Sequence, residues 1–349
     1  MTVIVNELSL PSEGLSRSEQ VFEIRDDAIG LLAFLSLIRG KKGPAFGGIR
    51  RRRFAAPEDA LQEARELAGQ MNDKITFAGL PNGAAKVVIV DSVGLDLEKI
   101  YRSLGQAIES MAGQYFSGPD VGTGVVELSW VAEETRFVNH VKNNPGPSTA
   151  LGVAAGLAAA VHHLAWDDAL RGKTVLIQGL GSVGKSLAFI LSDKGAKLLL
   201  YDLDADRTTT VTQAILAQGG QAQGVTSAEF ETQSADVFCP CALGDVLDSK
   251  SSRFKVICGS ANLQTSNSEL ADQLFAEGCL FIPEAAVNAG AVLEGILVES
   301  EKDEERGREL ARAHIMATES RVMELLDKSS SMGVSPNHCL ELWLGEMKS

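Results

Sequence analysis

The 349-residue chain is 45% hydrophobic and 22% charged, and its formal net charge is -14. Such a length buries a large core and favours two domains over one, while the excess of acid repels phosphate backbones and anionic lipid surfaces; neither nucleic acid nor a membrane is an expected partner. The start, MTVIVNELSL, lacks a basic segment leading into an apolar run with a cleavage site, and no apolar stretch has the length of a membrane span, so a soluble, cytoplasmic protein is expected.

In chain order, LLAFLSLI at 31–38 and AKVVIV at 85–90 read as short buried strands, and PEDALQEARELAGQMND between them predicts a long amphipathic helix. Pro57 suits the first turn of that helix, and Glu58 and Asp59 complement its positive end. A helix between strands makes this part α/β. Near Asn143 the composition turns to NNPGPSTALG, the expected hinge, with Ser148 or Thr149 as candidate cap of the alanine-rich helix that follows. Beyond it KTVLIQG, a helix over about 183–194, AKLLLYD, another helix, DVFCPC, FKVICGS and CLFIPE alternate. Four or five short β-rich runs separated by helices predict a doubly wound parallel sheet. A last helical stretch covers about 303–327, and the tail is expected to fold back on the first domain. The expected division is therefore 1–142 with 318–349 as one domain and 143–317 as the other.

The strand-like run Thr174 to Gln178 feeds Gly179, Leu180, Gly181, Ser182, Val183 and Gly184, which open a helix. Gly179 serves the tight turn, Gly181 lets the backbone approach a pyrophosphate, and Gly184 allows close helix-on-strand packing. Phosphate oxygens then meet free N–H groups at a helix N-terminus. An acid, Asp202, ends the next strand about 20 residues on, the position of a carboxylate that accepts from ribose hydroxyls. Asp202, Asp204 and Asp206 oppose a 2′-phosphate, so NAD is expected rather than NADP, with Arg207 the opposing charge nearby. Cys239, Cys241, Cys258, Cys279 and Cys339 contain no C-x-x-C pair and read as reduced core thiols. His162 and His163 lack further ligands at metal spacing, and no metal site is expected. Arg50 to Arg53 form a basic run that reads mostly as a solvated face, with Arg50 alone inside a glycine-rich motif.

Four segments of the first domain combine glycines with an ionisable group: GPAFGGIR at 43–50, MNDK at 71–74, GLPNGAAK at 79–86 and SGPDVGTG at 117–124. The second half adds NPGPSTALGV, CPCALG at 239–244, GSAN at 259–262 and PEAAVNAG at 283–290. By these motifs, in this order over about 19–298, the chain resembles the leucine, phenylalanine, valine and glutamate dehydrogenases, and most of all the leucine and phenylalanine branch. The resemblance implies an N-terminal α/β substrate domain and a C-terminal Rossmann-like, doubly wound NAD domain with a cleft between them.

It also implies roles. Lys74 corresponds to the lysine that pairs with the substrate α-carboxylate, Lys86 to the catalytic lysine, and Asp120 to the acid that exchanges a proton with the substrate amino group. A catalytic lysine working near neutral pH needs its pKa lowered by burial and neighbouring cations. Gly47 and Gly48 correspond to substrate contacts, and Phe46, Gly118, Val292 and Gly295 to the lining of the side-chain pocket. Asn262 and Asn288 correspond to asparagines that hold the nicotinamide and line the cleft, and Thr149, Cys241 and Ala242 join the glycine turn at the cofactor. Phe46 and Gly295 stand where the glutamate branch carries a lysine and a serine for the distal carboxylate, so an apolar side chain is expected. Three places depart from the family pattern: Ala84 after Gly83, the run Gln70 to Asp73, and Pro119.

The implied reaction is NAD-dependent oxidative deamination of an apolar, aliphatic or aromatic L-α-amino acid to its 2-oxo acid and ammonia, and the reverse, in a homo-oligomer of two or more subunits. Two alternatives stand beside it: an NAD oxidoreductase for an atypical amine or imine, and a catalytically silent NAD-binding homologue. Retention of Lys74, Lys86 and Asp120 speaks against silence.

Overall fold

The computed structural model describes residues 3–9, 19–139, 145–168, 170–242, 244, 246–264, 268–301 and 303–348, and the hinge expected near Asn143 lies outside them. The chain divides into two units, Met1–Asn143 and Asn144–Ser349. In the first unit β1 (Ile4–Glu7), β2 (Glu19–Asp26), β3 (Leu31–Ile38) and β4 (Ala45–Arg52) precede α1 (Pro57–Phe77), β5 (Gly83–Val90), α2 (Leu97–Ser110), β6 (Tyr115–Gly118) and α3 (Val125–Ala132). The six strands form one mixed sheet in the order β1-β2-β3-β5-β4-β6. The pairs from β1 to β5 are antiparallel, and β4 runs parallel to both β5 and β6.

Helix α1 starts as expected, with Pro57 in its first turn and the Asp59 carboxylate accepting from the Ala56 N–H. Its buried Ala60, Ala64 and Ala68 recur every fourth residue, giving a narrow stripe of small side chains, of which Ala60 and Ala64 pack with Phe34 and Val88. The opposite face of the sheet carries the larger core, where Ile100, Leu104, Ile108 and Leu128 of α2 and α3 meet Ile24, Leu35, Val87 and Ile89. Side chains alternate along a strand. Register therefore puts Phe46, Gly48 and Arg50 of β4, Ala84 and Lys86 of β5, and Gly118 of β6 on the α1 side, with Val88.

The second unit contains α4 (Pro145–His163), β7 (Thr174–Gln178), α5 (Ser182–Asp193), β8 (Lys197–Tyr201), α6 (Ala205–Ala217), β9 (Gln221–Gly224), α7 (Ser227–Thr232), β10 (Val237–Pro240) and β11 (Val256–Ile257). It continues through α8 (Ser268–Ala276), β12 (Leu280–Phe281), α9 (Glu284–Val287), α10 (Gly290–Ser300), α11 (Glu304–Met316), α12 (Thr318–Met332) and α13 (Pro336–Lys348). Strands pair in parallel in the order β12-β11-β10-β7-β8-β9, the doubly wound arrangement with its order reversing beside β7. Six strands stand where four or five runs were expected, because β9 is QAQG and has no apolar run to betray it.

Two expectations need correction. Ser148 and Thr149 lie inside α4 and do not cap it: the Ser148 hydroxyl donates to the Glu294 carboxylate, and Thr149 Oγ1 accepts from the Ala291 N–H, in the first turn of α10, at 3.3 Å. Residues 318–349, assigned above to the first domain, fall in the second unit. Val322, Leu325 and Leu326 of α12 are buried, α12 packs on α4, and α13 packs on α8 and β12. The apolar stripe of α12 packs on the alanine-rich surface of α4. No helix among the described residues is long and apolar enough to cross a membrane.

Candidate active site

Lys86 sits in the middle of β5, with 5% of its surface exposed, and its Nζ lies 2.5 Å from Asp120 Oδ2. Asp120 follows β6 on a tight turn closed by the Thr123 N–H donating to the Asp120 carbonyl at 2.9 Å. Gly122, at φ +77°, supplies the left-handed residue of that turn, where a Cβ would come within 2.2 Å of the Arg51 carbonyl. The turn is tied down from outside as well. Arg51 N–H donates to the Val121 carbonyl at 2.9 Å, and the buried Tyr101 hydroxyl bridges the Gly122 carbonyl and Thr123 Oγ1.

Burial disfavours the Lys86 ammonium and lowers its pKa from the ordinary lysine value; the Asp120 carboxylate opposes this and the Arg50 cation adds to it. Burial also works against ionised Asp120, but Lys86 and Arg50 together outweigh it and hold that carboxyl below its usual range. An isolated ion pair would keep the lysine charged, so the loss of hydration decides the lysine and the two cations decide the acid. The outcome is an amine that gives up its proton more readily than a free lysine, beside a carboxylate that keeps its charge.

Around this pair the expected substrate residues fall in distinct places. A Cβ on Gly47 would lie 1.6 Å from the Ala85 carbonyl, and one on Gly48 would lie 2.6 Å from the Pro119 carbonyl. Both glycines thus let β4 press against β5 and against the Asp120 turn. Gly118, by contrast, faces open space, with nothing within 4 Å of a built Cβ. Phe46 is buried and stacks on Phe116 at a centroid distance of 5.3 Å, and Phe116 meets Phe137 edge-on. Lys74 is half-buried in the last turn of α1, the helix that covers the Lys86 face. Ala84, the departure from the family pattern, is a fully buried strand residue paired with Phe46 and Ile38, not part of a loop.

The second unit carries the other set. Gly179 takes φ +88°, and a Cβ on Gly184 would lie 1.9 Å from the Gly179 carbonyl and 3.2 Å from Cys241 Cβ. Helix α5 can pack against β7 and β10 only through a glycine there. A Cβ on Gly181 meets nothing within 4 Å, so the side where a pyrophosphate would approach is open. Cys241 and Ala242 flank the turn, since a Cβ on Gly179 would come within 2.8 Å of the Ala242 nitrogen. Burial raises the pKa of the Cys241 thiol and pushes that of Cys239 well up, which suits packing rather than thiolate chemistry.

Asp202 closes the far side. Its Oδ2 accepts from the Leu180 N–H at 2.7 Å and its Oδ1 from the Asp204 N–H at 2.9 Å, while Arg207 Nη1 lies 3.1 and 3.2 Å from the two oxygens. Asn288 ends α9, with its Nδ2 donating to the Ser260 carbonyl and to Asn262 Oδ1, both at 3.1 Å. The buried Asn288 Oδ1 has no protein partner, which fits an acceptor for a carboxamide N–H. Val292 is half-buried and Gly295 buried in α10.

Two residues escaped the sequence reading. Arg50, the one member of the basic run that the glycine-rich motif set apart, donates Nε to Asp120 Oδ2 at 2.8 Å and Nη1 to Glu63 Oε1 at 2.8 Å, contacts that the motif alone did not give. Glu63 also pairs with Arg52 at 3.2 Å. The glycine-rich motif ending at Arg50 was the available signal; Glu63, in an ordinary helical pattern, offered none.

Residues 21–137 match the model of the Glu/Leu/Phe/Val dehydrogenase dimerisation domain, and 199–301 that of Glutamate/Leucine/Phenylalanine/Valine dehydrogenase. Leucine dehydrogenase of Thermoactinomyces intermedius is 34% identical over 285 residues, which cover 79% of this chain and 76% of that protein. Phenylalanine dehydrogenase of Lysinibacillus sphaericus is 32% identical over 290 residues, 80% of this chain and 76% of that one. Among solved structures, L-tryptophan dehydrogenase from Nostoc punctiforme aligns with a TM-score of 0.78 and 27% identity, covering 91% of this chain and 92% of the other.

Proposed function

From the premise that the chain belongs to the Glu/Leu/Phe/Val dehydrogenase family, we propose that it catalyses the NAD-dependent oxidative deamination of an apolar L-α-amino acid to its 2-oxo acid and ammonia, and the reverse. It is an amino-acid dehydrogenase, an oxidoreductase acting on CH–NH2 groups. The buried contact between Lys86 and Asp120 is the observation that carries the reading. Burial makes the lysine readier to give up its proton while Lys86 and Arg50 keep the carboxylate ionised, so a proton-accepting amine and a charged carboxylate stand in contact, the components of an acid–base pair.

NAD, when bound, would supply the acceptor for the hydride that leaves the substrate Cα. Neutral Lys86 takes a proton from the water that attacks the resulting substrate imine, and Asp120 handles the protons of the departing amine. Lys74 receives the α-carboxylate. Lys86 is buried and Asp120 half-buried, which limits the access of bulk water to these transfers.

For the cofactor, the open Gly181, the close-packed Gly184 and the orphaned Asn288 Oδ1 fit a dinucleotide, held by Gly179 to Gly184, Thr149, Cys241, Ala242, Asn262 and Asn288. Asp202 supports NAD over NADP. The Phe46–Phe116 stack beside the open Gly118 suits an apolar side chain, and Phe46 offers no charge to a distal carboxylate. The match to a dimerisation domain supports a homo-oligomer, and we place it in the cytoplasm. An atypical amine or imine substrate is not favoured, since the relatives named above are dehydrogenases of ordinary amino acids.

NADH absorbance with leucine, valine, phenylalanine, tryptophan and glutamate, using NAD and NADP in turn, tests the proposal. Turnover of an apolar amino acid is expected, with glutamate at least about a hundredfold poorer, because an unpaired buried charge costs several kcal/mol. A preference for glutamate would overturn the apolar pocket, equal turnover with NADP the cofactor assignment, and NADH binding without any turnover the enzyme reading.

A further inference from the structure

Arg50 stands between the acid–base pair and the helix above it. Its Nε donates to Asp120 Oδ2 at 2.8 Å, its Nη2 to Asp120 Oδ1 at 3.4 Å, and its Nη1 to Glu63 Oε1 at 2.8 Å. Asp120 Oδ2 therefore receives both Arg50 and Lys86. The Lys86 ammonium is a point charge that leaves the carboxylate free to rotate about its Cβ–Cγ bond, whereas a planar fork fixes the carboxylate plane. Glu63 binds the far side of the same guanidinium, so the fork is itself anchored to α1, and 17% of the side chain is exposed in each of Arg50 and Glu63. We propose that Arg50 is a positioning residue of the dehydrogenase reaction, clamping the plane of Asp120 against Lys86 while Glu63 holds Arg50 in place. This rests on the reading of Lys86 and Asp120 as the acid–base pair.

The arrangement has an electrostatic corollary with a defined sign. The charges that act on Lys86 are Asp120 after β6, Arg50 on β4 and Glu63 on α1. Arg52 is engaged with Glu63, and Arg65 of α1 with Glu19, which also accepts from Ser36 opposite Lys86; Tyr115 of β6 feels the charge of Asp120. Arg50 favours the neutral amine and Glu63 the ammonium. Removing the cation raises the Lys86 pKa, and removing the anion lowers it.

The test is the pH profile of kcat/KM for the full-length wild type and for Arg50→Gln, Arg50→Lys and Glu63→Gln, with circular dichroism as the check on folding. The alkaline-rising limb, where Lys86 must lose its proton, is expected at higher pH in Arg50→Gln and at lower pH in Glu63→Gln. Arg50→Lys restores the charge without the fork, so its limb returns towards wild type while kcat stays about a hundredfold low, the cost of a misplaced catalytic group. A merely structural role would not move the limb in opposite directions in the two variants. Wild-type profiles and kcat in both Arg50→Gln and Glu63→Gln overturn the proposal; should Arg50→Gln not fold, an unshifted limb in Glu63→Gln does so alone. Lys86→Ala run alongside separates the two layers: full activity there sinks the acid–base reading, whereas an inactive Lys86→Ala beside unaltered Arg50 and Glu63 variants sinks the clamp alone.

Discussion

Replacing Gly48 by alanine adds a single methyl at the point where β4 touches the catalytic turn. The new Cβ would lie 2.6 Å from the Pro119 carbonyl oxygen and 2.9 Å from Asp120 Cβ, whereas ordinary contact begins at 3.4 Å. Strand β4 is hydrogen-bonded on both sides, to β5 and β6, and cannot retreat. The turn must therefore move, by about 0.8 Å, carrying Asp120 away from Lys86 and loosening a contact of 2.5 Å. A displacement near 1 Å at a reacting group costs on the order of a hundredfold in rate. Steady-state kcat/KM with the best amino acid of the panel measures the loss, a thermal melt checks the fold, and fluorescence titration with NADH should be unchanged because the glycine turn belongs to the other unit. A folded Gly48→Ala variant within about threefold of wild type would show that the turn absorbs the methyl without moving Asp120, and the steric argument would fail.

Lys86→Ala should lose on the order of 10²–10⁴ in kcat, the contribution of a positioned acid–base group, with NADH affinity unaltered by calorimetry; retention of more than about a tenth of the rate excludes Lys86 from that role. Arg207→Ala should tighten NADH binding. An ionised carboxylate offers about four acceptor sites, and those of Asp202 already meet two backbone N–H groups and both contacts from Arg207, so ribose hydroxyls must displace the guanidinium. Weaker NADH binding by Arg207→Ala in a fluorescence titration would mean that Arg207 holds the cofactor instead.

The nucleotide turn was legible in the sequence because its physics is local: a strand, three spaced glycines and a helix lie within a few residues, and Asp202 follows one strand later. Lys86 and Asp120 were legible as motif members, but their contact was not, and neither was Arg50 as its third party. Arg50 meets Asp120 across 70 residues and Glu63 across 13, distances that only the sheet register and the docking of α1 bring to zero. Strands whose apolar signal is diluted were also hidden: β2, EQVFEIRD, alternates with charges, and β9, QAQG, is a polar edge strand held by pairing to β8. The placement of α12 and α13 depended on which surface was free to receive an apolar stripe. That is a tertiary choice, and propensity carries no information about it.

The alanine stripe of α1 has a consequence for laboratory evolution. Ala60, Ala64 and Ala68 are fully buried, so this helix lies as close to the sheet as side chains permit, and larger residues at these positions would lift it. The same helix carries Glu63, the anchor of Arg50, and Lys74. Substitutions selected there for thermal robustness would therefore surface as catalytic phenotypes, and libraries that aim to stabilise the enzyme without slowing it should leave this stripe alone and spend their diversity on α12 and α13.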